Sequence, residues 1–179
     1  MSDKKIAMII APVDFQDTEF KVPYEYFEKH GATVDVYSTR TGPAKGTFGT
    51  MFMVDSSLTG LHVEDYDAIV YIGGSGTPIV RADNHSIKIA QEAFEKGKVI
   101  GAICWSPTIL AKAGILKGRN ATVWNGDDDE FNMTTPEYLT EQGAKYTGKP
   151  VTIDGKIITA DGPSSAQGYA EAIWKALNG

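Results

Sequence analysis

Cysteine is nearly absent from this chain of 179 residues: Cys104 is the only one. A single thiol cannot close an internal disulfide, which fits a reducing compartment, and we expect a cytoplasmic protein. Histidine is scarce too, with His30, His62 and His85 as the full set. No apolar run approaches the roughly 18 residues that a membrane-spanning helix needs. The opening Met1-Ser2-Asp3-Lys4-Lys5 passes straight into a short strand-like run without a small-residue cleavage site, so no signal peptide is expected. Positive charge is also in deficit. The net charge of −6, with no Lys/Arg stripe, argues against nucleic acid as a partner.

What remains is ordinary in bulk and specific in detail. Apolar residues make up 42% and charged residues 22%, the balance of a globular protein. No repeat, linker or low-complexity tract divides residues 1–179, so one domain is expected, large enough to bury roughly 70% of its unfolded surface. Three apolar runs, Ile6 to Ala11, Ala68 to Ile72 and Val99 to Ile103, do not alternate with polar residues. They read as strands covered on both faces, as in a parallel sheet. Thr33 to Tyr37 alternates more and belongs nearer an edge.

Helical patterns fall between these runs. Phe20, Tyr24 and Phe27 form one stripe before Gly31, and Ile87, Ala90 and Phe94 a second before Gly97. Tyr169, Ile173 and Leu177 form a third, opened by Ser164 or Ser165. A start near Glu19 or Phe20 places Pro23 among the first four helical residues, whose N–H groups lack partners anyway. Asp17 is then the expected N-cap. Gly46 to Val54 looks like a strand pair or extended excursion, and Val151 to Thr159 like a hairpin around Asp154-Gly155. The sum is an α/β, three-layer, doubly wound and mainly parallel sheet of the flavodoxin-like kind.

Ligands of such sheets bind at the carboxyl ends of the strands. Here the first buried run leads into residues 12–19, the second ends in Gly73-Gly74-Ser75-Gly76, and the third ends at Cys104. A lone cysteine is commonly a small buried hydrophobe. This one stands where a buried strand meets a Pro107-initiated helix, the setting of a nucleophile elbow, and a helix N-terminus lowers a thiol's pKa. Gly73-Gly74 lets the backbone approach closely and can point an N–H at a developing oxyanion, with the Trp105 amide as its natural partner donor. Glu19 beside a thiol cannot ionise cheaply together with it, so the pair should share one proton, held by Glu19 next to a Cys104 thiolate.

On Glu19-Phe20-Lys21-Val22-Pro23, Asp67 to Gly74 and Gly101-Ala102-Ile103-Cys104, the chain resembles the ThiJ/PfpI superfamily over nearly its whole length. This is the class I glutamine amidotransferase-like fold. The resemblance implies Cys104 as nucleophile, Glu19 as the acid touching the thiol, and oxyanion donors at Gly74 and Trp105. It also implies a homo-oligomer, a small-molecule substrate and no cofactor. Two departures stand out. PfpI-type members carry His-Gly after the cysteine, where this chain has Trp105-Ser106, and the histidine that other members keep further on falls on Trp124.

Of the three histidines only His85, at the start of the helix after the glycine loop, is placed to approach the site. Gly73, Ser106, Trp124 and His85 complete the pocket candidates. With no obvious base beside the cysteine, peptidase chemistry is disfavoured. Three readings stay open: glyoxalase or deglycase-type chemistry, or a related hydrolase acting on amide-like compounds; an oxidative-stress sensor that works through Cys104; and a cysteine peptidase. Isonitrile hydration is disfavoured, since members of that branch carry Asp where Glu19 stands. Asp127-Asp128-Asp129-Glu130 reads as solvated surface, with no metal site, because no histidine accompanies it.

Overall fold

The computed structural model describes residues 3–179, and its centre is the apolar runs singled out above. Seven strands form the main sheet: β1 (Lys5–Ile9), β2 (Thr33–Ser38), β3 (Ser56–Ser57), β4 (Ala68–Tyr71), β5 (Val99–Ile103), β6 (Val151–Asp154) and β7 (Ile157–Ala160). Their spatial order is β6-β7-β5-β4-β1-β2-β3. Every neighbouring pair is parallel except β6 with β7. That exception is the hairpin expected around Asp154-Gly155, with Asp154 opposite Ile157.

All of β4 and β5 is buried, because helices cover both faces of the sheet. Those helices are α1 (Asp17–Lys29), α2 (Thr77–Ala82), α3 (Asn84–Glu95), α4 (Pro107–Lys112), α5 (Thr135–Glu141) and α6 (Ala166–Asn178). Helix α6 lies on β5 and beside α1, where Trp174 meets Phe27 at 6.4 Å between ring centres. Tyr169 on α6 donates its hydroxyl to the Tyr71 carbonyl across the sheet, which pins the helix over β4 and β5. Among the described residues no helix is long and apolar enough to cross a membrane.

Three local expectations need correction. The N-cap of α1 is Gln16, whose side chain accepts the Glu19 N–H at 2.8 Å; Asp17 instead accepts the N–H groups of Phe48 and Thr50, both at 2.9 Å. Burial opposes the Asp17 charge, but those hydrogen bonds outweigh it and hold its carboxyl below the usual range. Because α1 starts at Asp17, Pro23 lies in its second turn. The ring therefore removes a bond to the Glu19 carbonyl, four residues back.

The buried stripe of α3 is Ser86, Ile89, Ala90 and Ala93, while Phe94 is exposed. The small residues win that face because the sheet lies directly beneath them.

The Gly46 to Val54 excursion is part of a separate three-stranded sheet. It joins Val13–Phe15, Gly42–Gly46 and Met51–Val54. Asp17 ties the tip of that sheet to the start of α1, two residues before Glu19.

Candidate active site

The strand order places the carboxyl ends of β1, β4, β5 and β7 on one edge, and the candidate residues gather there. Cys104 has φ of +64°, the left-handed conformation that side chains rarely adopt. Such a backbone costs of order 1–3 kcal/mol and persists only where the surroundings hold it. Here the Cys104 N–H donates to the Ala160 carbonyl at 2.8 Å, and its own carbonyl accepts the Trp124 N–H at 2.8 Å. Ser106 braces the same turn. Its hydroxyl accepts the Ile103 N–H at 2.8 Å and lies within reach of the Ile103 and Tyr71 carbonyls. Fully buried and committed to that turn, Ser106 belongs to the elbow's scaffold.

Gly73 and Gly74 close the other side. A Cβ on Gly73 would lie 2.5 Å from the Ile103 carbonyl, 2.6 Å from Cys104 Cβ and 2.7 Å from Glu19 Oε1. The thiol-bearing carbon and the carboxyl therefore meet across a glycine with no room for a side chain. Gly74 has φ of +116°, again a conformation that favours glycine, and its amide is one of the groups that pull the pKa of the Cys104 thiol downward. The Trp105 amide does the same from the elbow itself.

Glu19 is completely buried. Its Oε1 accepts the Gly73 N–H at 3.0 Å, and its Oε2 has no hydrogen-bond partner among the described residues. Burial pushes the carboxyl up to about 8; the neighbouring Cys104 thiol and the Gly73 N–H work against this, and the charge of Asp161 adds to it. For the thiol, burial and Glu19 both push upward, while the Gly74 and Trp105 amides pull downward. The six-residue α4 is too short for a strong dipole, so the expected lowering by a helix terminus is outweighed by burial. While Glu19 keeps its proton its charge is absent. Burial does not favour the thiolate expected beside it, because the thiol too is held above its usual range.

A stability effect follows from the raised carboxyl. Between about 4.5, its ordinary value, and about 8, folded Glu19 holds a proton that the unfolded chain has released. Native protein binds more protons there, so stability falls as pH rises through that window and levels off above it. In urea unfolding across pH 4.5 to 8, Glu19→Gln should remove this slope relative to the wild type. Parallel curves for the two proteins would mean that Glu19 does not stay neutral in the folded state.

The remaining candidates separate. His85 pairs through Nδ1 with Asp83 at 2.9 Å, and its side chain is half open to solvent. His30 stacks on Tyr26 at the end of α1, and His62 precedes a short 3-10 turn. No hydrogen bond among the described residues joins any of the three histidines to Cys104 or Glu19. Trp105 and Trp124 do come together, with ring centres 5.1 Å apart.

The acidic run is not all solvated surface, as expected above. Asp128 is buried and takes both Arg81 terminal nitrogens, at 2.7 and 3.0 Å, plus the Trp105 indole N–H at 2.8 Å. Burial opposes its charge, yet Arg81 and Trp105 hold the carboxyl below its usual range. Arg81 is fully buried. It also bonds Thr108 and Glu130 and lies over the Phe131 ring. Neither Arg81 nor Asp128 stood out in the sequence as a partner, although a lone cation in apolar α2 facing four consecutive acids was the available signal. Among the described residues no group of three or more His, Cys, Asp or Glu is arranged to hold a metal ion.

Comparison with known proteins agrees with this geometry. The model of the DJ-1/PfpI family matches residues 4–176. An uncharacterised protein of Methanocaldococcus jannaschii is 38% identical over 178 residues, covering 99% of this chain and 84% of its own. A deglycase of Pyrococcus horikoshii is 28% identical over 164 residues, 92% of this chain and 94% of its own. A glutathione-independent glyoxalase of Caenorhabditis elegans is 26% identical over 178 residues, 99% of this chain and 91% of its own. Among solved structures, a ThiJ/PfpI domain protein from Brachyspira murdochii superposes with a TM-score of 0.88 at 27% identity, covering 99% of this chain and 98% of that one. The flavodoxin-like parallel sheet, the elbow cysteine and these matches together place the chain in the DJ-1/PfpI family.

Proposed function

We propose that this protein is a cysteine-dependent enzyme acting on small reactive carbonyl compounds, with Cys104 as nucleophile and Glu19 as proton carrier. The observation that carries this reading is the fully buried Glu19 carboxyl beside the elbow thiol, raised to about 8 by burial. A neutral acid in that position is suited to move a proton at neutral pH. Relatives named deglycase and glyoxalase support the same class of chemistry.

The steps use the groups at the strand ends. In the pair that shares one proton, with Glu19 neutral, the Cys104 thiolate adds to the aldehyde carbon of a 2-oxoaldehyde, forming the C–S bond as the C=O electrons move to oxygen. The Gly74 and Trp105 amides take up the negative charge on that oxygen while Glu19 delivers its proton. The resulting Glu19 carboxylate takes the C–H proton and returns it to the neighbouring carbonyl carbon while the hydroxyl proton passes to that carbon's oxygen, leaving a thioester. Water cleaves that thioester to a 2-hydroxy acid, and the proton of the freed thiol returns to Glu19, restoring the starting pair. The sum is addition of one water, with no external oxidant. Peptide hydrolysis lacks a comparable base, since no histidine accompanies the thiol.

The test is turnover of methylglyoxal by the purified chain, with the hydroxy acid identified as product. Consumption that yields lactate supports the reading. Absence of turnover, with Cys104 gaining two oxygens at low peroxide by intact mass, would replace it with the redox sensor.

A further inference from the structure

The two tryptophans at the site stand where a small substrate has no use for so much apolar surface. Trp105 is held by its indole N–H on Asp128 at 2.8 Å, and Asp128 is locked in turn by the buried Arg81. Trp124 is held at its backbone, whose N–H donates to the Cys104 carbonyl and whose carbonyl accepts the Thr135 hydroxyl. Its ring lies on Gly126, where a Cβ would come within 2.0 to 2.6 Å of three indole carbons. So both rings are fixed in place. Yet Trp124 remains 36% exposed. An anchored indole left open to solvent, on the residue bonded to the nucleophile's own carbonyl, has the form of a recognition surface.

We propose that the Trp105–Trp124 pair is the specificity surface of the site, and that it selects electrophiles carrying a planar aryl group next to the reacting carbon. This rests on the proposed carbonyl chemistry for its substrate class, 2-oxoaldehydes, and predicts an aryl member over a methyl one. The ring centres lie 5.1 Å apart with the planes tilted at 44°, so an aryl group packs on the solvent-open side of Trp124, against a face or an edge. Charge points the same way. Asp127 and Asp129 are exposed beside Asp128, whose own charge Arg81 compensates, so an anionic substituent is disfavoured and a neutral ring tolerated.

The experiment reads two ratios. The first is kcat/KM for phenylglyoxal over methylglyoxal. The second is the rate of Cys104 alkylation by iodoacetanilide over iodoacetamide, each relative to a free small thiol and followed by intact mass. The single cysteine makes that labelling unambiguous. Wild-type protein is expected to favour the aryl reagent by about tenfold beyond the free thiol, or about 1.4 kcal/mol. Trp124→Ala should bring the alkylation ratio down to that of the free thiol, while Trp124→Phe, which keeps a ring, should retain most of the preference.

A wild-type ratio equal to the free thiol's, or an Ala variant indistinguishable from wild type, overturns the proposal. The two inferences fail separately. Turnover of both glyoxals without aryl preference in either ratio removes the specificity surface alone. Aryl preference in alkylation without turnover of either glyoxal keeps the surface and removes the carbonyl chemistry.

Discussion

Cys104→Ala should abolish methylglyoxal consumption, and Glu19→Gln should lower it by about 10²–10⁴-fold, the usual contribution of a positioned acid–base group. The first loss needs little argument, since the chain has no other thiol. The second is the sharper test. Glutamine keeps the shape of the side chain and can still face Gly73 and the sulfur, but it neither gives nor takes a proton at neutral pH. A Glu19→Gln protein with unchanged folding and near wild-type kcat would demote Glu19 to a structural filler. Mass spectrometry after a single turnover adds an independent check. Wild type should trap a substrate adduct on Cys104 under acid quench, and the Glu19→Gln variant should trap less of it if the proton delivered to oxygen comes from this carboxyl.

Loss of Arg81 should be the most damaging single change to stability. Arg81→Met would leave Asp128 buried without its cation, next to Thr108 and the Trp105 indole. Breaking a buried pair from one side costs about 3–5 kcal/mol, because the stranded charge cannot reach water. For a chain of this length that is a fall of about 6–20 °C in Tm by calorimetry. Replacing both partners, Arg81→Met with Asp128→Leu, should recover much of the loss, since apolar groups of similar volume carry no such penalty. The double variant is also informative at the site. It restores packing but leaves the Trp105 indole N–H without its acceptor, so the alkylation preference should weaken even where the Tm returns. An Arg81→Met protein that melts with the wild type would show that the pair is not held as tightly as its geometry implies.

The two kinds of prediction correspond to two kinds of legibility. Runs such as Ala68 to Ile72 and Val99 to Ile103 are apolar without alternation, and burial on both faces is the one solution that avoids exposing them. Parallel strands then put their carboxyl ends on one edge, so the sequence alone groups Glu19, Gly73-Gly74 and Cys104. Hairpin chemistry at Asp154-Gly155 was equally local and equally readable. Asp17 and Pro23 misled because capping depends on which side chain reaches back. Gln16 does so, and Asp17 is drawn instead to the amides of Phe48 and Thr50, about thirty residues away.

The acidic run shows the limit most clearly. Four consecutive acids look alike in one dimension, yet Asp128 is 2% exposed while Asp127 and Asp129 lie in solvent. What separates them is Arg81, 47 residues earlier, and no local pattern links the two. The same holds for protonation. Sequence spacing can put a carboxyl beside a thiol, but how far each pKa moves depends on how completely water is excluded. The order of apolar runs, turns and glycines by itself determined a doubly wound sheet and which residues meet at its edge, because those follow from periodicity and backbone geometry. Only the tertiary structure decided that Glu19 is sealed from water, that Trp105 is tethered to a buried ion pair, and that Ser106 faces inward, because burial and long-range pairing are properties of the packed whole.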